Sequence, residues 1–158
     1  MYKYRNNILG TNQRVSKFVV DHAPECTFCI FGKEPLPVHA ESFNHLFFEC
    51  AYSSRYREAV INKFFLELRN ANEDVMRTFW FTGLMPGMRK SNIFISSVVS
   101  VVNYNIWVLK LKKELNPVGI FIEDTVCMIN RILKLSMKLR EVKQSTNFHV
   151  CRHTFDPP

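Results

Sequence analysis

Residues 26–50 read CTFCIFGKEPLPVHAESFNHLFFEC, and this stretch decides how the chain is understood. It gathers Cys26, Cys29 and Cys50 with His39 and His45, in a chain that has only five cysteines and five histidines. A C-x2-C pair in a tight turn aims two sulfurs at one ion and lets backbone N–H groups donate to the thiolates. Fifteen residues later His45 and Cys50 can return to the same ion and complete a tetrahedral set. Thiolate and imidazole donors favour zinc over calcium or magnesium. The expected ligands are therefore Cys26, Cys29, His45 and Cys50, with Zn2+ as the cofactor. His39 is the nearest substitute ligand and His22 a more distant one. Other readings stand beside this one: a vestigial or partly lost site, a C-x2-C arisen by chance, a redox pair, which lacks a visible βαβ context, and cysteines buried simply as apolar side chains.

The spacing carries a geometric condition. On an ideal helix, residues five apart are rotated well away from one another. With Ser42 as N-cap and His45 at N3, His45 and Cys50 can share an ion only if the helix ends or loosens near Cys50. Tyr52-Ser53-Ser54 is the expected break, with Ser53 or Ser54 capping a following helix.

Outward from this stretch, composition sets the frame. At 158 residues and 47% hydrophobic content the chain can bury a core, and fourteen Phe supply much of it. A net charge of +7 and a pI near 9.3 favour anionic partners, with nucleic acid first. The N-terminus MYKYRNNILGTNQR has no apolar segment of a secretory kind, so a reducing, intracellular setting (nucleus or cytoplasm) is expected, with thiols or metal ligands rather than disulfides.

The expected fold class is mainly α: a small CCHC zinc module followed by a helical bundle. A lead-in covers 1–19, the zinc module 20–52, the helical domain 53–143 and a flexible tail 144–158. Gly32 allows a tight turn after Cys29, and Pro35 and Pro37 make 33–39 an extended loop. Helical periodicity is expected over 55–70, a short apolar element over 76–84, and a long helix from Ser91 to Asn116. Its run SSVVSVV alone could be a strand; the unbroken continuation NIWVLKLKKEL argues for helix. The segment 93–111 has the length of a membrane span, but its Ser, Asn and Lys residues make it a core helix and no membrane partner is expected. Gly119 marks a turn, and 123–143 reads as a last helix with Val126, Ile129, Ile132, Leu133, Met137 and Leu139 on its apolar side.

A zinc nucleobase deaminase needs H-x-E followed by P-C-x-x-C. Here His22 precedes Ala23-Pro24, and Glu25 separates Pro24 from Cys26, so that chemistry is not expected. A closed four-ligand site also leaves no position for an activated water.

With these residues in view, the chain resembles the zinc-binding region at the C-terminal end of reverse transcriptases from non-LTR (LINE-like) retrotransposons. The resemblance rests on Thr11-Asn12-Gln13-Arg14 with Lys17-Phe18, on Cys26-Thr27-Phe28-Cys29, and most specifically on Glu41-Ser42-Phe43-Asn44-His45-Leu46-Phe47-Phe48-Glu49-Cys50. Phe79-Trp80-Phe81-Thr82-Gly83 and Asn105-Ile106-Trp107 are similar to aromatic elements that follow. The match is close over about residues 9–56 and loose to about 143. Ala51 stands where that family often has proline, and neither an F/Y-x-D-D motif nor an endonuclease segment is present. The resemblance implies a non-enzymatic C-terminal module of a retrotransposon polyprotein, standing as a fragment or degenerate copy. It would grip RNA or DNA beside an upstream polymerase domain.

Basic residues fit that implication. Lys110, Lys112 and Lys113 cluster late in the long helix, while Arg131, Lys134 and Lys138 form a stripe, continued by Arg140 and Lys143, that could follow a phosphate backbone. A solvated helix face is the competing reading of each. Phe28, Phe31, Phe43, Phe47 and Phe48 are expected to pack around the metal site rather than stack on bases. A protein-interaction module would instead show an apolar patch at Trp80 or Trp107. His149, Cys151 and His153 read as incidental residues of the tail.

Overall fold

A computed structural model describes residues 10–32, 37–90 and 93–152, with side chains described through residue 139. The expectations placed on Pro35, Ser91 and His153, and on the side chains of Arg140, Lys143, His149 and Cys151, lie outside these residues.

The described chain is mainly helical. In order it comprises α1 (Asn12–Val15), α2 (Thr27–Phe31), a π-helical turn (His45–Glu49), α3 (Ala51–Phe64), a 3-10 turn (Leu66–Leu68), α4 (Glu73–Thr82), α5 (Ile93–Lys112) and α6 (Val118–Arg152). The only extended pairing among the described residues is an isolated antiparallel bridge between Glu25 and Ala40.

Local chemistry explains most boundaries. Asn72 caps α4 by accepting the Val75 N–H at 2.9 Å, and Glu73 and Asp74 lie in the first turn, where the helix dipole favours acids. Gly83, at φ 74°, ends the helix in the left-handed region. No break occurs at Tyr52-Ser53-Ser54, contrary to the sequence expectation. Cys50 itself adopts extended backbone between the π turn and α3, so these three residues form the first turn of α3. Gly119 likewise lies in the first turn of α6, which starts directly after Pro117. The backbone of α6 stays helical to Arg152, into the stretch expected to be a loose tail.

The core forms where α5 packs against α6 and α3 packs against both, with α4 along α5. α5 is apolar on nearly all sides, and Val98, Val99, Val102 and Ile106 are fully buried. It is long and apolar enough to cross a membrane, with mean hydropathy 1.4, yet 56% of that window is buried inside this fold. Ser97 and Ser100 donate to the carbonyls of Ile93 and Ser96 at 2.7 and 2.6 Å, so their hydroxyls need no water. Asn103 accepts from Arg57 at 3.0 Å and donates to the Trp80 carbonyl at 3.2 Å, tying α3, α4 and α5 together. Tyr56 stacks on Phe121 with ring centroids 4.2 Å apart, and its hydroxyl donates to the Asn116 carbonyl. Along α6 the buried positions are Phe121, Thr125 and Ile129, each four residues on from the last. Beyond Leu133 the helix outruns the core. Met137 and Leu139, expected on its apolar side, are 57% and 63% exposed.

Gly32 has an unexpected reason to be glycine. Its φ of −67° is available to any residue. A Cβ there would run into the Tyr52 ring, which is packed and nearly buried. The glycine thus permits α2 to end against the first turn of α3. Gly32→Ala is expected to lower stability by about 1–3 kcal/mol, the usual cost of overpacking a closed contact, measured as a shift in urea midpoint at unchanged m-value.

Candidate metal centre

The centre is assembled from two backbone crossings. Residues 24–26 lie antiparallel to 39–41: Cys26 N–H donates to the His39 carbonyl at 2.8 Å and Glu41 N–H to the Pro24 carbonyl at 2.7 Å. This pairing brings the C-x2-C segment beside the segment that leads to His45. Cys26 is the N-cap of α2, and the short helix then swings Cys29 toward the same point.

The π turn brings in the other two donors. Cys50 N–H donates to the His45 carbonyl at 2.7 Å, an i→i+5 bond in place of the α-helical i→i+4. The wider turn brings residues five apart closer to alignment on one side, which an α-helix would not do. The loosening that the sequence requires is thus a π turn. The Ser42 hydroxyl accepts the His45 N–H at 2.9 Å, the N3 contact expected of a cap.

One donor atom from each of Cys26, Cys29, His45 and Cys50 lies within 4.8 Å of the others, and all four residues are buried. The Cys26 and Cys50 sulfurs are 3.9 Å apart, and Cys29 Sγ is 3.4 Å from His45 Nε2. Such a cluster could hold a metal ion. His39 lies outside it, exposed, with its ring 5.1 Å from that of His45. His22 is also outside, facing Asn12 Oδ1 at 3.4 Å.

The three thiols differ: one is held down and two are pushed up. A hydrogen bond from Cys26 holds the Cys50 thiol down to about 4, against its burial; His45 and the N–H groups of Tyr52 and Ser53 in the first turn of α3 act in the same sense. The same shared proton, then burial, pushes Cys26 well up. Burial, then the Cys50 charge, raises Cys29. Buried thiols crowded this closely resist carrying several negative charges at once, and a bound cation removes that resistance.

Around the donors, Phe28, Leu46 and Phe47 are fully buried and Phe43 nearly so, so these Phe residues pack as expected. Phe48 is half-buried beneath the guanidinium groups of Arg57 and Arg77, at 4.7 and 4.9 Å from its centroid. Phe31 departs from the expectation and is 50% exposed.

One functional residue has no role assignable from sequence. Glu41 is completely buried. Its Oε2 accepts the Thr27 N–H at 3.0 Å, at the start of α2; its Oε1 accepts the Asn12 N–H at 2.9 Å and pairs with Lys110 Nζ at 3.3 Å. Asn12 in turn donates through Nδ2 to the Glu25 carbonyl and Thr27 Oγ1. In the sequence Glu41 stands only as the first residue of the Glu41–Cys50 string, and nothing there shows that its carboxylate is buried or which groups it meets.

Lys110 accordingly leaves the phosphate-binding set. Besides Glu41 it reaches the Gly10 carbonyl at 3.2 Å and lies 4.7 Å from the Trp107 ring centre, and it is buried. From late in α5 it points inward to Glu41 and the lead segment rather than outward. Lys112, Lys113, Arg131, Lys134 and Lys138 are all exposed. Trp80 is buried and Trp107 half-buried, so neither provides the exposed patch expected of a docking module.

Comparison with protein-family models, curated proteins and solved structures gives no match to this chain.

Removing the Glu41 carboxylate would take the counter-charge from buried Lys110 and the acceptor from the buried Thr27 N–H and the part-buried Asn12 N–H. Glu41→Ala is expected to cost about 3–5 kcal/mol, the usual range for breaking a buried ion pair, in a denaturant titration. The double change Glu41→Leu with Lys110→Met should recover part of that loss.

Proposed function

We propose that this chain is a non-enzymatic zinc-binding module that grips nucleic acid, of the kind found at the C-terminal end of non-LTR retrotransposon reverse transcriptases. The observation that carries the reading is the buried cluster of three sulfurs and one imidazole. A tetrahedral zinc site with bonds near 2.3 Å to sulfur and 2.0–2.1 Å to nitrogen has donor–donor edges of roughly 3.6–3.8 Å. The separations of 3.9 Å for Cys26–Cys50 and 3.4 Å for Cys29–His45 fit that figure. Four protein donors fill the coordination sphere and leave no place for substrate, which supports a structural metal and a chain without catalysis.

The nucleic-acid part rests on charge and exposure. With net charge +7, and with Lys112, Lys113, Arg131, Lys134 and Lys138 open to solvent, the last two helices offer phosphates a basic surface. RNA and DNA backbones both satisfy it. A second reading, docking on a protein such as an upstream polymerase domain, draws on Leu135, Met137 and Leu139, which are exposed where α6 passes the core.

Metal analysis by mass spectrometry should find one zinc per chain, lost along with cooperative melting in the double mutant His45→Ala with Cys50→Ser. Because protons compete for thiolate and imidazole, the metal and the stability it confers should fall away as pH is lowered. A folded wild-type chain without zinc would overturn the metal reading. For nucleic acid, log affinity should fall linearly with log salt, by about 0.7 to 0.9 per phosphate contact. Replacing Arg131, Lys134 and Lys138 with Gln should flatten that slope; a salt-independent interaction would instead favour docking on a protein.

A further inference from the structure

A cleft of about 370 Å3 opens between α1 and the segment that leads to His45, within the range of ligand clefts. Thr11, Gln13, Arg14, Lys17 and Phe18 from the α1 segment line it together with Asn44. Its lining includes two cations and no carboxylate. Glu41, next in the chain to the lining residue Ser42, is buried and paired with Lys110 rather than facing the cleft. Phe18 is 81% exposed, an aromatic face held beside a cationic cleft. Gln13 is anchored to the cleft's far side through its N–H, which donates to the Glu41 carbonyl at 3.2 Å.

This combination has a definite chemistry. Arginine and lysine in one lining suit a phosphodiester, which needs charge and several donors. Amides from Gln13 and Asn44 supply directional hydrogen bonds to base or sugar edges. An exposed aromatic ring suits an unpaired base, because every base has a π-face, whereas bases inside a duplex are already stacked. An acidic peptide would use the cations but leave Phe18 without a purpose. We infer that this cleft seats one nucleotide of a single strand, with Arg14 and Lys17 on the phosphate and Phe18 stacked on the base. The inference rests on the nucleic-acid reading above and relocates its specific contact from the late helices to the segment between α1 and the metal centre.

The seat is coupled to the metal. Its lining includes Ser42, whose hydroxyl accepts the N–H of His45, and Phe43, whose ring lies 5.0 Å from that of Phe47. Loss of the ion should therefore disorder one wall of the cleft.

The test uses the full metal-loaded chain and a labelled oligonucleotide of about 12 nucleotides, single-stranded or as a hairpin duplex, in fluorescence anisotropy across a salt series. Arg14→Gln with Lys17→Gln should reduce the single-strand salt slope by about 1.4, and Lys17→Gln alone by about 0.7, at 0.7 per phosphate contact. Phe18→Ala should weaken single-strand binding about 5- to 150-fold, as expected for one lost stack, and leave duplex binding unchanged. Metal content and melting of each variant should match wild type, since the altered side chains are exposed. Wild-type binding that the variants reproduce, with the same slope, would overturn the nucleotide seat and leave the broader reading standing. Polyglutamate that competes as well as oligonucleotide, with Phe18→Ala inert, would assign the cleft to acidic peptide and overturn the seat as well. Absence of any wild-type binding to nucleic acid would overturn both.

Discussion

The Glu41 carboxylate sits where the lead segment, the C-x2-C helix and the long helix α5 converge, with no access to solvent. Burying a carboxylate costs several kcal/mol unless its lone pairs and its charge are both met. Here two backbone N–H groups and the Lys110 ammonium meet them, and Lys110 is itself buried, so neither partner can leave without stranding the other. The consequences spread in both directions along the chain. Thr27, held by Glu41, begins the helix that sets Cys29, and His45 follows four residues after Glu41. Lys110 carries the connection into the helical core. The Cys/His segment and the helical core are thus joined by a charge pair as well as by apolar contact, which gives the junction a register that apolar packing alone would leave adjustable.

The centre itself depends on an irregular turn. An α-helical continuation from Phe43 would carry Cys50 away from His45, and a plain loop would leave their separation undefined. The i→i+5 bond between them does neither: it keeps the backbone satisfied while widening the turn by one residue. α3 then starts immediately at Ala51, so its first N–H groups lie beside the Cys50 sulfur. A metal at this point would be held by two helix starts, α2 after Cys26 and α3 after Cys50. It would also be shielded by Phe28, Leu46 and Phe47. That arrangement suits an ion that stabilises a fold rather than one that turns over substrate.

The surface chemistry divides along the same lines. Exposed cations on α5 and α6 are spread along helices and suit a backbone read only as charge. The cations Arg14 and Lys17 sit in a cleft with amides and an aromatic ring. In the proposed reading, the first gives general affinity and the second a preference for unpaired nucleic acid.

Much of this was legible from residue type and spacing. The donor set follows from C-x2-C and H-x4-C, because so few side chains present soft ligands. The mainly helical class follows from long segments without breakers, and the need for a loosened turn before Cys50 follows from the rotation per residue of a helix. Three features required the tertiary structure. Lys110 reads as a surface cation beside Lys112 and Lys113, and only the approach of the 41–44 segment reveals it as the counter-ion of Glu41. Gly32 reads as a turn residue, and only the nearness of Tyr52 shows that volume, not backbone angle, requires it. Met137 and Leu139 carry an apolar pattern, yet the core ends before they can join it. In each case the sequence determined what the side chain is able to do. The fold decided which neighbour it meets, because burial and charge pairing depend on segments far apart in the chain.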